Sequence, residues 1–355
     1  MATGENRGVQ LYCTVINRGN GDGIYRFCFD EKREELSAEG KESPFPAVAL
    51  AICERDRALY AAEEKPNGCR LRAYSIRQDG SLLQKAEKEY GFFGISHLAV
   101  SRDGRFLWVA AYGCSAIAAV SLRDGCPSDV AAWKTFPGHG ADRERQEASH
   151  PHFVLETKEG QLFVPDLGTD KIHRLILEEK QGRLSFRCLG ETELPAGSGP
   201  RHMACHAGNG EYYLVTELGS ELFRYTWDSR REELICRQRQ SLLTGAGSKK
   251  NLAADIRVFA DESGLLVSNR GENEIRVFQV DRSSGALALS RRIRTAGWTR
   301  NVRTDRKGRW IFASNEAYED NQGSLEVFEA DGNRICKIPL DGAYAMELFF
   351  EEGIM

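Results

Sequence analysis

A chain of 355 residues with 48 Lys+Arg against 52 Asp+Glu is close to neutral, so it carries no electrostatic footprint for nucleic acid or an anionic membrane. No apolar run approaches the length of a bilayer span. The chain is too long for one ordinary core, which leaves several domains or a repeat architecture whose units pack only on their neighbours.

The first residues, Met1-Ala2-Thr3-Gly4-Glu5-Asn6-Arg7, lack the apolar centre of a signal peptide, so a cytoplasmic protein is expected. Ten cysteines are scattered with no C-x-x-C pair, which reads as reduced, mostly buried small apolar residues rather than a disulfide frame or zinc site. The first apolar strand ends at Cys13, and equivalent strands end at Ala61, Val109, Val164, Val215, Val267 and Ala313. Their spacings of 48, 48, 55, 51, 52 and 46 residues define seven units of about fifty. A complete unit reads strand, Gly-containing turn, strand, polar turn, third strand such as Ile275–Val280, and a weaker fourth strand.

Seven units of four strands predict a single all-β domain over residues 1–355, a seven-bladed β-propeller of four-stranded antiparallel blades. Gln84–Tyr90 has helical composition, but seven residues are too few for an independent helix and a fourth strand belongs there. The first unit lacks its first strand, and the chain ends on the unpaired pattern Ala343–Phe350. Placing that C-terminal strand in the first blade closes the ring and leaves no open blade face.

The most informative stretch runs from His150 to Glu217 and holds five of the seven histidines. The first two strands of each unit form an antiparallel hairpin, so first-strand starts lie beside second-strand ends. Counting outward from the turns sets Arg201 against Glu217, His152 against Asp166, Asp255 against Arg270 and Arg300 against Asn315. These ends converge on one mouth of the central channel. Arginines, carboxylates and histidines gathered there read as an anion-binding pocket with acid–base groups. The catalytic candidates are Glu217, His152, Arg201 and Arg270, and the substrate-binding candidates are His150, Asp255, Arg300, Asn269 and Asn315.

Blander roles compete with these. Asp166-Leu167-Gly168-Thr169-Asp170 fits turn chemistry, His97 and His202 fit strand caps, and His173 on a third strand fits the surface. Arg201 with Glu217 could be a cross-strand ion pair alone. There is no G-x-S-x-G, no H-E-x-x-H, and Gly245–Lys250 lacks phosphate-loop spacing.

Ser149-His150-Pro151-His152, Val164-Pro165-Asp166-Leu167-Gly168-Thr169-Asp170-Lys171-Ile172, Gly199-Pro200-Arg201-His202 and Ser268-Asn269-Arg270-Gly271 resemble the seven-bladed lactonase family over nearly the whole chain. That family includes propeller-type 6-phosphogluconolactonases and fungal carboxy-cis,cis-muconate cyclases. The resemblance implies an enzyme that opens or forms lactones with no metal or organic cofactor. Its functional groups fall on His152 or His150, Arg201, Glu217 and Arg270. The sequence departs from the family at Ala111, Asp255, Thr299 and Gly219, which leaves the substrate open. The leading expectation is hydrolysis of an anionic sugar lactone or sugar phosphate, with 6-phosphogluconolactone first. Glu217 or His152 would act as base, Arg201 as oxyanion donor, and Arg270 or Arg300 as anion clamp. Lactonization of a muconate-type diacid and a non-catalytic binding scaffold are the alternatives.

Overall fold

A computed structural model describes residues 8–17, 21–206, 210–245, 251–319 and 321–351. Its strands form seven four-stranded antiparallel sheets arranged as a propeller. Seven apolar clusters hold them together, one between each adjacent pair of blades. Each blade hides its apolar faces only against its neighbours, which is why the sequence repeats at that period.

The strand Ala343–Phe349 pairs with Val9–Val15, so the first sheet is built from both chain ends. Met346 and Leu348 on this strand are buried in the cluster that joins the last blade to the first. Removing the chain from Ala343 onward strips one inner strand and part of that cluster. The melting midpoint is expected to fall by more than about 10 °C, given several buried apolar side chains at roughly 2 kcal/mol each. An unchanged melt of the truncated protein would contradict ring closure by this strand.

The segment with helical composition is a strand, Leu82–Tyr90. The cysteines are free but less buried than their composition suggests. Cys13 and Cys69 are buried, whereas Cys188 and Cys236 are exposed on the outermost strands of their blades. The reason is position: outer strands meet solvent on their free edge, so a small apolar residue there gains no cover. No helix among the described residues is long and apolar enough to cross a membrane.

One irregularity recurs at the mouth of the channel. The register of the innermost strand shifts at Val48, Ser96, Arg201, Ala254–Asp255, Arg300 and Tyr344–Ala345. A bulge places an extra residue against the partner strand and re-aims its side chain. In the fourth blade the inner strand shrinks to Leu155–Glu156, preceded by an isolated bridge from Pro151 to Asp166. Pro151 has no N–H to give to a ladder, so regular pairing cannot run through it. His152 beside it keeps one backbone bond to the next strand, its N–H donating to Pro165 O at 2.9 Å.

Candidate active site

Glu217 sits at the centre of the mouth and is almost fully buried. Its backbone N–H donates to Gly199 O at 2.7 Å, fixing the chain just past the strand Glu211–Thr216. Three guanidiniums converge on its carboxylate. Oε2 receives Arg201 Nε at 2.8 Å and stands 2.8 Å from Arg270 Nη2, while Oε1 receives Arg145 Nη2 at 2.6 Å. Burial pushes the carboxyl up, but the charges of Arg270 and Arg201, helped by Arg145, hold it well below the ordinary glutamate value. Three guanidiniums against one carboxylate leave this cluster two positive charges in excess.

Arg201 is the bulged residue of its strand and is 2 % exposed. Its Nη1 donates to Ala254 O at 2.6 Å and meets His202 Nε2 at 3.0 Å. With Nε on Glu217, only Nη2 remains without a protein partner among the described residues. Burial and the repulsion of Arg270 push its pKa down to about 10, so it stays charged at neutral pH. His202 Nδ1 in turn contacts Asp255 Oδ1 at 2.8 Å. Burial and the charge of Arg201 push His202 down to about 3, so the ring is neutral, donates to Asp255 and accepts from Arg201.

His152 is the exception in this network. It is 7 % exposed, its Nδ1 is buried without a partner, and its ring makes no hydrogen bond to the described residues. It is held by ring contacts alone, at 5.2 Å to His202 and 5.8 Å to Tyr112. Burial and the charge of Arg201 hold it well below the ordinary imidazole value, hence neutral. Buried polar groups are normally bonded, so an unbonded imidazole beside a charged cluster asks for a reason.

Arg145 was not among the residues singled out from sequence. It belongs to the insertion 137–149 between the third and fourth blades, and the 55-residue spacing there, the widest of the six, was its signal. The buried Gln146 ties the insertion down, with Nε2 donating to Leu167 O and Asp170 Oδ1 at 2.8 Å each. Gly168 permits the approach, since a Cβ there would lie 1.8 Å from Ala148 O. Asp142 Oδ1 accepts the N–H groups of Glu144 and Arg145, shaping the turn that aims Arg145 inward.

The remaining candidates divide. Arg300 reaches the mouth, clamped by Glu316 at 2.9 Å and Tyr344 Oη at 2.7 Å, with its guanidinium 3.7 Å from the Tyr344 ring centre. His150 stacks on Tyr112 at 4.1 Å and contacts Glu147 at 3.0 Å, forming part of the rim wall. Asp166 accepts from Ser149 Oγ and from the N–H groups of His150 and Gly168, the turn chemistry its motif suggested.

Asp255 does not face Arg270: the hairpin pairs Val258 with Leu265, two residues off the count from the turn, and a one-residue shift at Ala254–Asp255 then puts Leu252 opposite Arg270. It is fully buried, and its oxygens are taken by His202, Arg303 Nη1 at 2.7 Å and Val302 N at 3.2 Å. Asn269 and Asn315 are also fully buried. Asn269 bonds Leu242 O and Asn251, and Asn315 bonds Thr299, Ser324 and Glu326, so both amides pin loops rather than meet a ligand. His173 is not a surface residue: it is 2 % exposed, between Asp166 at 3.1 Å and Glu191 at 3.0 Å, with its ring on Phe136. The acidic partners on either side draw it inward. Among the described residues no group of three or more His, Cys, Asp or Glu side chains could hold a metal ion.

Known proteins share this architecture. The chain is 28 % identical over 325 residues to a 6-phosphogluconolactonase of Bacillus subtilis, covering 90 % of each, and 27 % identical over 352 residues to one of Formosa agariphila, covering 93 % of this chain and 96 % of the relative. The solved periplasmic gluconolactonase of Pseudomonas aeruginosa superposes with a TM-score of 0.81 at 23 % identity, over 96 % of this chain and 99 % of that one. A Lactobacillus plantarum structure gives 0.86 at 21 % identity, over 96 % and 99 %. At those identities the structures speak to fold alone. The model of the family described as lactonase, 7-bladed beta-propeller, matches residues 10–334, and the chain belongs to that family.

Proposed function

We propose that this protein hydrolyses a sugar lactone carrying an anionic group, with 6-phosphogluconolactone the substrate that fits best. The observation that carries the reading is the mouth cluster of Arg145, Arg201 and Arg270 around a single carboxylate, beside a neutral, unbonded imidazole. Its surplus of two charges suits a phosphate dianion, and the relatives named 6-phosphogluconolactonase support the choice.

His152 is the general base in this scheme. Glu217 has its oxygens committed to three guanidiniums and so is too weak a base, whereas His152 is neutral and has open ring nitrogens. His152 takes a proton from the water that attacks the lactone carbonyl. The developing oxyanion meets Arg201, whose Nη2 is held ready by Glu217, Ala254 and His202. The acyl–oxygen bond then breaks, the ring oxygen takes the proton back from His152, and the net change is addition of water to give the hydroxy acid. Glu217 keeps three mutually repelling guanidiniums together, and Arg145, Arg270 and Arg300 grip the distal anion.

Arg270→Ala tests the clamp. It should raise KM for the phosphorylated lactone by about 10–100-fold, the worth of one charge-assisted contact, and lower kcat much less. A fall in kcat with KM unchanged would place Arg270 at the reacting carbonyl and overturn the assignment.

A further inference from the structure

Below the mouth, the inner strands enclose a narrow cavity lined by Arg201, Arg257, Arg300 and Arg303, with Glu347 the only carboxylate among the described residues of its wall. The carboxylates near it are spent. Asp255 gives both oxygens to His202, Arg303 and backbone N–H groups, and Glu347 is held by Arg303 Nε at 3.0 Å and Nη2 at 2.5 Å.

Besides Arg201 Nη2, which serves the mouth, two donors are left over. Arg257 has one polar contact among the described residues, Asp255 at 3.6 Å, and its Nε is buried with no partner. Its side chain is 26 % exposed, and it lines the cavity. His97 also lines the cavity. Its Nδ1 accepts the Val154 N–H at 3.3 Å, which puts the proton of the neutral ring on Nε2. A guanidinium with no hydrogen-bond acceptor is costly inside a protein, and a wall with charged donors left over and no free carboxylate selects an anion over a cation.

We propose that the central channel binds a small inorganic anion, of the chloride or phosphate class, against the Arg257 guanidinium and the His97 Nε2–H. The narrow bore excludes a sugar. The bound charge offsets the repulsion between Arg257 and Arg303 and braces the inner strands on which the mouth is built. This site does not depend on the lactonase reading.

The test is thermal melting in chloride and, separately, in inorganic phosphate, with methanesulfonate holding ionic strength constant. Wild type, Arg257→Gln and the mouth variant Arg145→Gln are compared. The midpoint of wild type should rise by a few degrees with chloride, phosphate or both. The chloride rise should persist in Arg145→Gln and vanish in Arg257→Gln, and the phosphate rise, to which the mouth also contributes, should persist in part in Arg145→Gln and shrink in Arg257→Gln by the channel's share. An anion effective as chloride only identifies the smaller ligand, and one effective as phosphate only the larger. Either supports the channel site. A rise lost in Arg145→Gln but kept in Arg257→Gln would place the anion at the mouth and overturn the proposal, as would equal responses in all three proteins or none in wild type. If Arg257→Gln does not fold, crystals of wild type grown in bromide and, separately, in arsenate as the anomalous stand-in for phosphate decide the matter. An anomalous peak against Arg257 in either supports the site, and a channel without one in both overturns it.

Discussion

His152→Gln is expected to cut kcat by about 10²–10⁴-fold, the usual worth of a general base, while KM and the melting midpoint stay near wild type. The stability half of that expectation is the discriminating one. The ring of His152 makes no hydrogen bond to the described residues and has an orphaned Nδ1, so replacing the side chain breaks no polar contact. A histidine kept for structure would show the opposite pattern, with a lower midpoint and retained turnover per folded molecule. The pH profile supplies a second check. Burial and Arg201 hold the folded-state pKa of His152 well below 6.5, so the base form persists on acidification past the ordinary imidazole range. kcat/KM for a non-phosphorylated lactone should therefore stay flat down through pH 6.5 and fall only well below it. An acid limb centred at or above 6.5 would exclude this histidine as the base.

Glu217→Gln should have the second large effect, and its signature differs. The amide keeps the volume but leaves Arg145, Arg201 and Arg270 around a neutral group at the mouth. Removing one partner from a buried ion network costs about 3–5 kcal/mol, because the remaining charges lose their compensation. The midpoint should fall by several degrees, and inorganic phosphate should restore more of it than it adds to wild type, since the ligand replaces the missing charge. Turnover should fall as well, through the loosened Arg201. A Glu217→Gln variant with wild-type stability and selectively lost turnover would return the base role to Glu217. The acid dependence has a definite sign. A carboxyl whose folded pKa lies below its unfolded value contributes stability above the unfolded value, and that contribution is lost as pH falls through the folded one. Glu217 and Asp255 both behave this way, so acid should weaken the channel below the ordinary carboxylate range.

The fold was readable because seven near-equal spacings of apolar strands leave little else for the chain to do. Even the ring closure was visible, as a first unit short of a strand and a last one with a strand to spare. Side-chain placement at the mouth was less accessible, for a specific reason. Counting from turns assumes a regular ladder, and the inner strand of six of the seven blades shifts register at the mouth. At Arg201 the shift is one residue and the neighbour Glu217 is still reached. At Asp255 the bulge again shifts the ladder by one residue, but the pairing next to the turn, Val258 with Leu265, is already two residues off the count, so the expected facing of Asp255 and Arg270 is lost. Asn269 and Asn315 stand at the right height, but polar loops beside them supply acceptors and donors that draw their amides inward. Arg145 reaches the site from an insertion, where no repeat position could nominate it.

The central claim is that the surplus positive charge at the mouth selects an anionic lactone for hydrolysis beside His152. It is tested most directly by kcat/KM of the purified protein for 6-phosphogluconolactone relative to unphosphorylated gluconolactone. Charge-assisted hydrogen bonds of about 1.5–3 kcal/mol each predict a preference of at least ~10²-fold for the phosphorylated substrate. Equal turnover of the two would contradict the anion clamp, and binding of sugar phosphates with no turnover of either lactone would contradict the enzyme itself.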